Sequence, residues 1–465
     1  MNYTRPSSRD TALTGSRPSS RDTALKRSPT AMAAQMMLEQ GSSKLAVDIA
    51  CARKNSDVLE MVVEELGWTT TQGNGGAIVW VVGTDDIVER LRKLRSSEWL
   101  SHIPGMLDCC GKVALSEALQ MRGASFWPRS WRAPETRADD ICREAFKSGT
   151  GTVIIKPDTG SQGQGIHLAR SSKELQRHLS RLQAPEAIVQ EYVDRPLLLH
   201  GFKWDMRIYA LVLPTSNGGL TAFLAHEGLV RVCVDPYELP DNRNLVRQTM
   251  HLTNYSLSKF SDKFVFSEDP SDASKGCKRS LSAVLNLLEA EGVLSARSTW
   301  QALASLTRQT VDALAGPLRA VVADPATWEG GQEVSALAQE HFQHTFHILG
   351  LDVLLDETGR PWLLEVNNNP SLSLDEIRPF PGSWSRAEIN SLFASSRRSS
   401  SKWGRPCRCA GHPRPHEHQL CAVDCAVKLP VVRGTLNIIK RARASDQGKA
   451  TSRAAWAQGT VFEPV

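Results

Sequence analysis

No stretch of eighteen or more apolar residues occurs anywhere in the 465 residues, so an ordinary membrane-spanning helix is not expected. The opening MNYTRPSSRD lacks the apolar run of a signal peptide, which argues against secretion. Cysteine is sparse, with ten residues at irregular spacing. In a chain this long, that pattern reads as reduced thiols rather than a disulfide framework. These absences lead to an expectation of a cytosolic protein. A large net charge is missing too, the total being +5. No GK[ST] follows the glycine-rich stretch at residues 160–165, which excludes a Walker A loop.

At about 150 residues per domain, the length suggests two or three domains. Hydrophobic residues at 41% and charged residues at 23% suit a soluble globular enzyme and exclude a chain disordered throughout. The charge is unevenly placed. Residues 1–41 carry six basic and three acidic side chains, residues 397–465 carry thirteen and four, and 36 and 43 lie between. An acidic body between basic ends attracts a polyanion, and charge alone leaves open nucleic acid, anionic lipid, an acidic protein surface or a merely solvated tail.

RPSSRDTAL occurs twice, at residues 5–13 and 17–25, in a Ser/Thr/Arg-rich stretch without apolar periodicity. It reads as a duplicated, disordered leader, since a solenoid needs three or more units. Order is expected from near Leu45. Leu59, Val62, Val63 and Leu66 have helical spacing with Gly67 as a stop, and residues 77–82 read as a buried strand. Further strands are expected at 153–155, 188–192, 206–213, 220–225 and 351–355, the last following a helix over 335–349. Between 269 and 338 the pattern is largely helical, with Leu281, Val284, Leu285, Leu287 and Leu288 on one face. The fold class is therefore mixed α/β. After Phe393 the composition turns to Ser, Arg and Pro, and little regular structure is expected.

Three segments carry the chemistry. In GLDVLLDETGRPWLLEVNNNPSL, residues 350–372, two apolar runs flank a turn. With 356–361 as the loop, Leu355 faces Trp362, Asp352 faces Glu365, and Asn367 shares their side. Opposed carboxylates repel unless a cation lies between them, and these oxygen ligands suit Mg²⁺ held together with phosphates. The alternative is a solvated surface hairpin. In IIKPDTGSQGQGI, residues 154–166, Lys156 ends a strand and Gly160, Gly163 and Gly165 let backbone N–H groups wrap an anion. Gln162 stands within that loop, which a glycine-rich surface turn would explain equally well. In residues 189–212, Gln190, Tyr192 and Val193 end a strand whose edge groups could meet a purine, and Lys203, Asp205 and Arg207 then alternate onto one face. That face could hold phosphate and a ribose hydroxyl, or be a salt-bridged strand.

The ordered series KPDxxxxGxGI, QEYVxRPLL, KxDxRIY, EGLVR, HLTNYS and DVLLD…PWLLEVNNNPSL resembles the tubulin tyrosine ligase-like family, an ATP-grasp fold, and is most similar to its polyglutamylase branch. The likeness runs from about Leu59 to Asp375 and includes Gly67-Trp68, Ile103-Pro104-Gly105 and Phe126-Trp127-Pro128-Arg129. Val232 departs from it, standing where an aromatic commonly follows the arginine of EGLVR. The resemblance implies that Lys112, Lys156, Gln162, Gly163 and Gly165 serve the ATP phosphates, that Gln190, Tyr192 and Val193 line the adenine pocket, and that Lys203 and Asp205 contact the nucleotide. It implies Arg207, Arg231 and Asn254 at the reaction centre and Asp352, Glu365 and Asn367 on Mg²⁺.

The implied enzyme is an ATP-dependent carboxylate-amine ligase. It would convert a glutamate side chain of an acidic tubulin tail to an acyl phosphate and couple it to free glutamate. Glycine or tyrosine ligation, a small-metabolite ligase, or a non-catalytic microtubule-binding protein are the alternatives. The implied partners are tubulin or microtubules and free glutamate, not a membrane or nucleic acid. The implied location is the cytoplasm and cytoskeleton, with the cilium or basal body compatible. On this reading the chain divides into a leader (1–41), an N-terminal α/β subdomain (42–150), a central ATP-grasp subdomain (151–200), a C-terminal ATP-grasp subdomain (201–392) and a basic tail (393–465), both ends being disordered. Within that tail Cys407, Cys409, His412, His416, His418, Cys421 and Cys425 offer ligands that Zn²⁺ prefers, at a spacing that fits no standard finger.

Overall fold

The computed structural model describes residues 44–83, 85–147, 151–160, 163–182, 184–259, 261–380, 405–407, 416–446 and 452–465, with isolated positions between 385 and 391. The leader, Gln162, Cys409 and His412 lie outside the described residues. Leu45–Val465 clusters as one compact unit.

Four parallel strands open the unit: β1 (Ala46–Cys51), β2 (Thr69–Thr71), β3 (Ile78–Val81) and β4 (Trp99–Leu100), in the order β2-β1-β3-β4. The helix Ser56–Glu65 buries Val58, Leu59, Val62 and Val63 and ends before Gly67, whose φ of 67° is the left-handed stop the spacing predicts. A second, antiparallel sheet runs β5-β8-β6-β7 from β5 (Ser130–Ala133), β6 (Val153–Pro157), β7 (His167–Ala169) and β8 (Ala187–Glu191). Thus β5, sited before residue 150, pairs with the central strands.

The largest sheet follows the order β12-β11-β10-β13-β14, built from β10 (Phe202–Pro214), to which the short β9 (Leu198–Leu199) also pairs, β11 (Leu220–Val232), β12 (Lys278–Ser280), β13 (His347–Leu355) and β14 (Pro361–Asn367). Its strands alternate between two cores. Met206, Ile208, Ala210 and Val212 of β10 face Leu303, Leu314 and Leu318 of the long helix Ala296–Ala323, while Tyr209, Leu211 and Leu213 face the opposite side. By the same period Lys203, Asp205 and Arg207 fall on that second side, as the alternation predicts.

The C-terminal segment corrects the expectation of a disordered tail. Ala422–Asp446 is a 25-residue helix whose Val423, Val427, Val431, Leu436 and Ile439 are buried against Val58, Val62, Tyr209, Leu211 and Phe223. Beyond it the short strand Phe462–Pro464 pairs with Phe223–Ala225 of β11. The i, i+4 valine spacing was readable, but the flanking Ser/Arg/Pro composition masked it. A second correction concerns the helix expected over 335–349. It ends at His341, a 3₁₀ turn occupies Phe342–His344, and β13 starts at His347. Buried Phe346 and the strand register take over the apolar residues that had seemed helical. Among the described residues no helix is long and apolar enough to cross a membrane.

Candidate active site

The hairpin β13–β14 brings Asp352 opposite Glu365, with Gly350 opposite Asn367. The route differs from the predicted one. Leu355 pairs with Pro361 and Leu354 with Trp362, one residue out of the expected register, and a bulge then leaves Leu364 unpaired before Asp352 meets Glu365. The bulge also frees the Leu364 carbonyl, which accepts from the Lys156 ammonium at 3.1 Å. Lys156 lies at the end of β6 and donates as well to Gln190 Oε1 at 2.7 Å. Gln190 is fixed in turn by Nε2 donating to Ser130 Oγ at 2.9 Å.

Across β10 the register sets Asp205 beside Arg231 and Arg207 beside Asp352. Arg231 Nε donates to Asp205 Oδ1 at 2.8 Å, and the Thr253 hydroxyl donates to Asp205 Oδ2 at 2.6 Å. Arg207 grips Asp352 through Nε and through Nη2, the latter at 2.8 Å from Oδ2. Arg207 has room because its neighbour is Gly350, where a Cβ would come within 2.9 Å of Arg207 Cδ. Burial opposes the Asp352 charge, but Arg207 and Arg231 outweigh it and hold this carboxyl well below the usual range. Burial, and then Asp352 itself, push Glu365 up. Two arginines and a lysine thus relieve the predicted carboxylate repulsion.

These groups face a cavity of about 820 Å³, lined by Lys112, Lys156, Gln190, Tyr192, Val193, Lys203, Asp205, Arg231, Asn254, Asp352, Glu365 and Asn367. Gly163, with φ of 80°, also lines it, and a Cβ there would stand 3.0 Å from Leu257 Cδ1 and 3.4 Å from Asn254 Oδ1. Gly165 turns away against Pro157. Arg207 does not line this cavity. It stands behind Asp352 and borders a smaller one. Lys112 Nζ donates to the carbonyls of Asp158 at 3.2 Å and Gly160 at 3.3 Å, at the lip of the glycine loop. The N–H groups of Glu191 and Tyr192 are already donated to Arg129 and Thr152 at 2.8 and 3.2 Å, so the strand end offers less edge than expected.

Sequence reasoning missed the supports. His251 Nε2 donates to the Asn244 carbonyl at 3.2 Å, so its Nδ1 accepts from the Tyr192 hydroxyl at 3.0 Å, which itself accepts from Lys203 Nζ at 2.8 Å. Burial and then Lys203 lower His251 to about 4, keeping it neutral. Burial likewise lowers both Lys156 and Lys203 to about 8. Asp158 Oδ1 accepts from Val113 N–H at 2.9 Å and ties the loop to the helix Lys112–Met121. Only HLTN, which holds His251, hinted at this layer.

The donor chemistry of Asp352, Glu365 and Asn367 fits a hard cation such as Mg²⁺. Asn367 Nδ2 donates to Glu365 Oε1 at 3.1 Å, leaving its amide oxygen without a donor among the described residues. The set counts two acids and an amide; among the described residues no group of three or more His, Cys, Asp or Glu could hold a metal. Of the seven tail residues, Cys409, His412 and the Cys407 side chain lie outside the described residues. His418 Nδ1 is 2.8 Å from Asp375, and Cys421 meets the Lys278 ammonium at 3.6 Å.

Residues 93–377 match the tubulin-tyrosine ligase family. Tubulin polyglutamylase TTLL11 of Mus musculus is 34% identical over 351 residues, 73% of this chain and 46% of that protein. Tubulin polyglutamylase TTLL11 of Homo sapiens is 31% identical over 385 residues, 80% of this chain and 51% of that protein. For tubulin polyglutamylase TTLL7 of Homo sapiens the identity is 32% over 336 residues, 69% of this chain and 35% of that protein. The chain spans about half the length, or less, of these relatives.

Proposed function

The chain belongs to the tubulin-tyrosine ligase family, and from that premise we propose that it is an ATP-dependent carboxylate-amine ligase that adds glutamate to glutamate side chains of acidic tubulin tails. One observation carries the reading. A row of charged side chains crosses four adjacent strands, from Arg231 through Asp205, Arg207 and Asp352 to Glu365, and all of them but Arg207 stand on the wall of a nucleotide-sized cavity.

In this reading ATP supplies the phosphoryl group that turns the tail carboxylate into an acyl phosphate, from which the incoming amine displaces phosphate. Mg²⁺, when bound, offsets charge on the phosphates. Asp352, Glu365 and Asn367 would hold it. Lys156 and Lys112 bind phosphate oxygens, Gly163 brings backbone amides close to them, and Gln190 keeps the Lys156 ammonium aimed. Tyr192 and Val193 bound the base, while Lys203 and Asp205 orient the nucleotide. Arg231 and Asn254 face the centre where negative charge grows, and Arg207 positions Asp352 from behind. Partners would be tubulin and free glutamate, and the site of action the cytoskeleton.

Mass spectrometry of tubulin incubated with the purified protein, MgATP and single amino acids tests the proposal. Additions of glutamate mass on tail glutamates are expected. Equal incorporation of glycine or tyrosine, or no addition of any amino acid, would refute it.

A further inference from the structure

Two buried lysines on the wall of the large cavity each begin a chain of hydrogen bonds that leads away from it. Lys156 donates to Gln190 Oε1 at 2.7 Å, Gln190 Nε2 to Ser130 Oγ at 2.9 Å, and the Ser130 hydroxyl to the Pro128 carbonyl at 2.7 Å. Lys203 donates to the Tyr192 hydroxyl at 2.8 Å, that hydroxyl to His251 Nδ1 at 3.0 Å, and His251 Nε2 to the Asn244 carbonyl at 3.2 Å. All six side chains are buried.

The two chains share a direction. An ammonium only donates and a carbonyl only accepts, whereas an amide can flip, a hydroxyl can turn and an imidazole can change tautomer. Each chain therefore has its sense fixed at the far end, where a backbone carbonyl takes the last proton. Both carbonyls are held. Asn244 is clasped by Asp241, its N–H donating to Asp241 Oδ1 at 3.0 Å and its Oδ1 accepting from Asp241 N–H at 2.9 Å. Pro128 precedes Arg129, whose carbonyl accepts from Glu191 N–H at 2.8 Å. Because Ser130 spends its proton on Pro128, its oxygen can only accept, so Gln190 turns its NH₂ to Ser130 and its oxygen to Lys156. With the His251 proton fixed on Nε2 by Asn244, Nδ1 can only accept, and the Tyr192 hydroxyl turns its lone pairs to Lys203. Reversed, either chain would present a donor to its lysine and favour the neutral amine.

We propose that Ser130 and His251 are positioning residues that set the sense of the two chains, so that Lys156 and Lys203 stand as charged donors before a nucleotide arrives. The inference rests on the nucleotide-binding reading of the large cavity. The surrounding charges explain the need. Lys203 faces Asp205 and Cys233 but also Lys156, and burial lowers it to about 8. Lys156 faces Glu365 and Asp352 on one side and Lys112 and Lys203 on the other. Tyr237, beside His251, gives its own proton to the Asp194 carbonyl at 2.6 Å and so supplies none to Tyr192.

The test uses the full chain with ¹³C-labelled lysine and the variants His251→Phe, His251→Gln, Ser130→Ala and Ser130→Thr. NMR follows the titration of Lys203 in the free protein, its signal identified by loss in Lys203→Met, and calorimetry gives the Kd for ATP. His251→Phe deprives the Tyr192 hydroxyl of its acceptor, so the Lys203 midpoint should fall by about one unit and the ATP Kd at pH 8 should rise about fivefold. A glutamine side chain can accept from Tyr192 and donate to Asn244 in the same sense, so His251→Gln should stay within about twofold of wild type. Through Lys156, Ser130→Ala should raise the ATP Kd about fivefold, and Ser130→Thr, which keeps the hydroxyl, should not. A purely structural role would lower the melting temperature and leave the midpoint in place. An unmoved Lys203 midpoint in folded His251→Phe, or His251→Gln as impaired as His251→Phe, would overturn the proposal. If His251→Phe does not fold, Ser130→Ala against Ser130→Thr decides by the same comparison. Should the wild type bind no ATP, the nucleotide reading fails, and the Lys203 midpoint still decides the positioning role.

Discussion

Arg231, two strands away from Asp352 in the sheet, places its Nη2 2.8 Å from Asp352 Oδ2, the oxygen that Arg207 Nη2 also approaches at 2.8 Å. Two guanidinium groups thus converge on one carboxylate oxygen, which neither strand alone could arrange. Removing that carboxylate leaves both cations buried and partly unpaired, so Asp352→Asn should cost about 3–5 kcal/mol of stability. Urea denaturation of the variant measures it, and a loss below about 1 kcal/mol would show that Arg207 and Arg231 find other partners.

Glu365 should behave differently from its neighbour. Burial and Asp352 already push its carboxyl up, so the neutral Glu365→Gln protein is expected to melt within a few degrees of wild type. Its ligation rate should fall roughly a hundredfold or more, because one anionic metal donor is gone. Near wild-type turnover in the folded variant would sink the donor assignment.

Nucleotide binding should depend on pH on the alkaline side. Lys156 and Lys203 are lowered to about 8, so in the free protein both are charged at pH 7 and largely neutral at pH 9. ATP needs the charged forms, and its Kd should rise between those values while protons are taken up on binding at pH 8. Calorimetry in buffers of different ionisation enthalpy reads both effects. Lys156→Met should weaken binding at pH 7 and flatten the profile, and an unchanged Kd would return the loop to an ordinary turn.

Acid should destabilise the fold through His347. Its Nδ1 accepts from Ile103 N–H at 3.2 Å while Nε2 donates to the Asn368 carbonyl, and burial lowers its pKa to about 4. An unfolded histidine titrates near 6.5. Between those values the unfolded chain binds the extra proton, so stability should fall as pH drops from about 6.5 to 4. The same slope in His347→Gln as in wild type, by thermal melts across that window, would count against the assignment.

Truncation after residue 396 separates a tail from a core. The chain after that point contributes Val427, Val431 and Ile439 to the second core and a strand to β11. Each buried aliphatic side chain contributes about 1.5–3 kcal/mol, so the shortened protein should be insoluble or unfolded. A soluble product with a cooperative melt would restore the tail to a peripheral role.

Much of the site was legible because β-strands alternate strictly. Lys203, Asp205 and Arg207 on one side of β10, and Glu365 and Asn367 on one side of β14, needed only a period of two, whereas Asp352 meets Glu365 through the bulge at Leu364. The cross-strand partners did not follow from local pattern. Arg231 meets Asp205 through a pairing that spans a hairpin turn, and Lys156 reaches Leu364 over 208 positions. The C-terminal helix was hidden for a different reason. Its buried valines lie among basic residues such as Arg433 and Lys440, whose heads reach Glu65 and the Trp68 ring, so the composition looked like that of a solvated end.

Leu364 gives the hairpin an odd parity. It pairs with nothing, yet every residue after it inherits its side of the sheet from that surplus position. Pairing it with Asp352 in an unbulged ladder would set Glu365 opposite Leu351 and swing its carboxylate into an aliphatic core, with no acidic residue changed. Leu364→Ala should therefore be mild, and deletion of Leu364 should keep Asp352 opposite Glu365 while removing the carbonyl that accepts from Lys156. At this point of the chain the acidic patch depends on a residue that stays out of the ladder rather than on that residue's identity. A relative with intact Asp, Glu and Asn but one residue fewer between Trp362 and Glu365 would be expected to keep the patch on an unbulged hairpin.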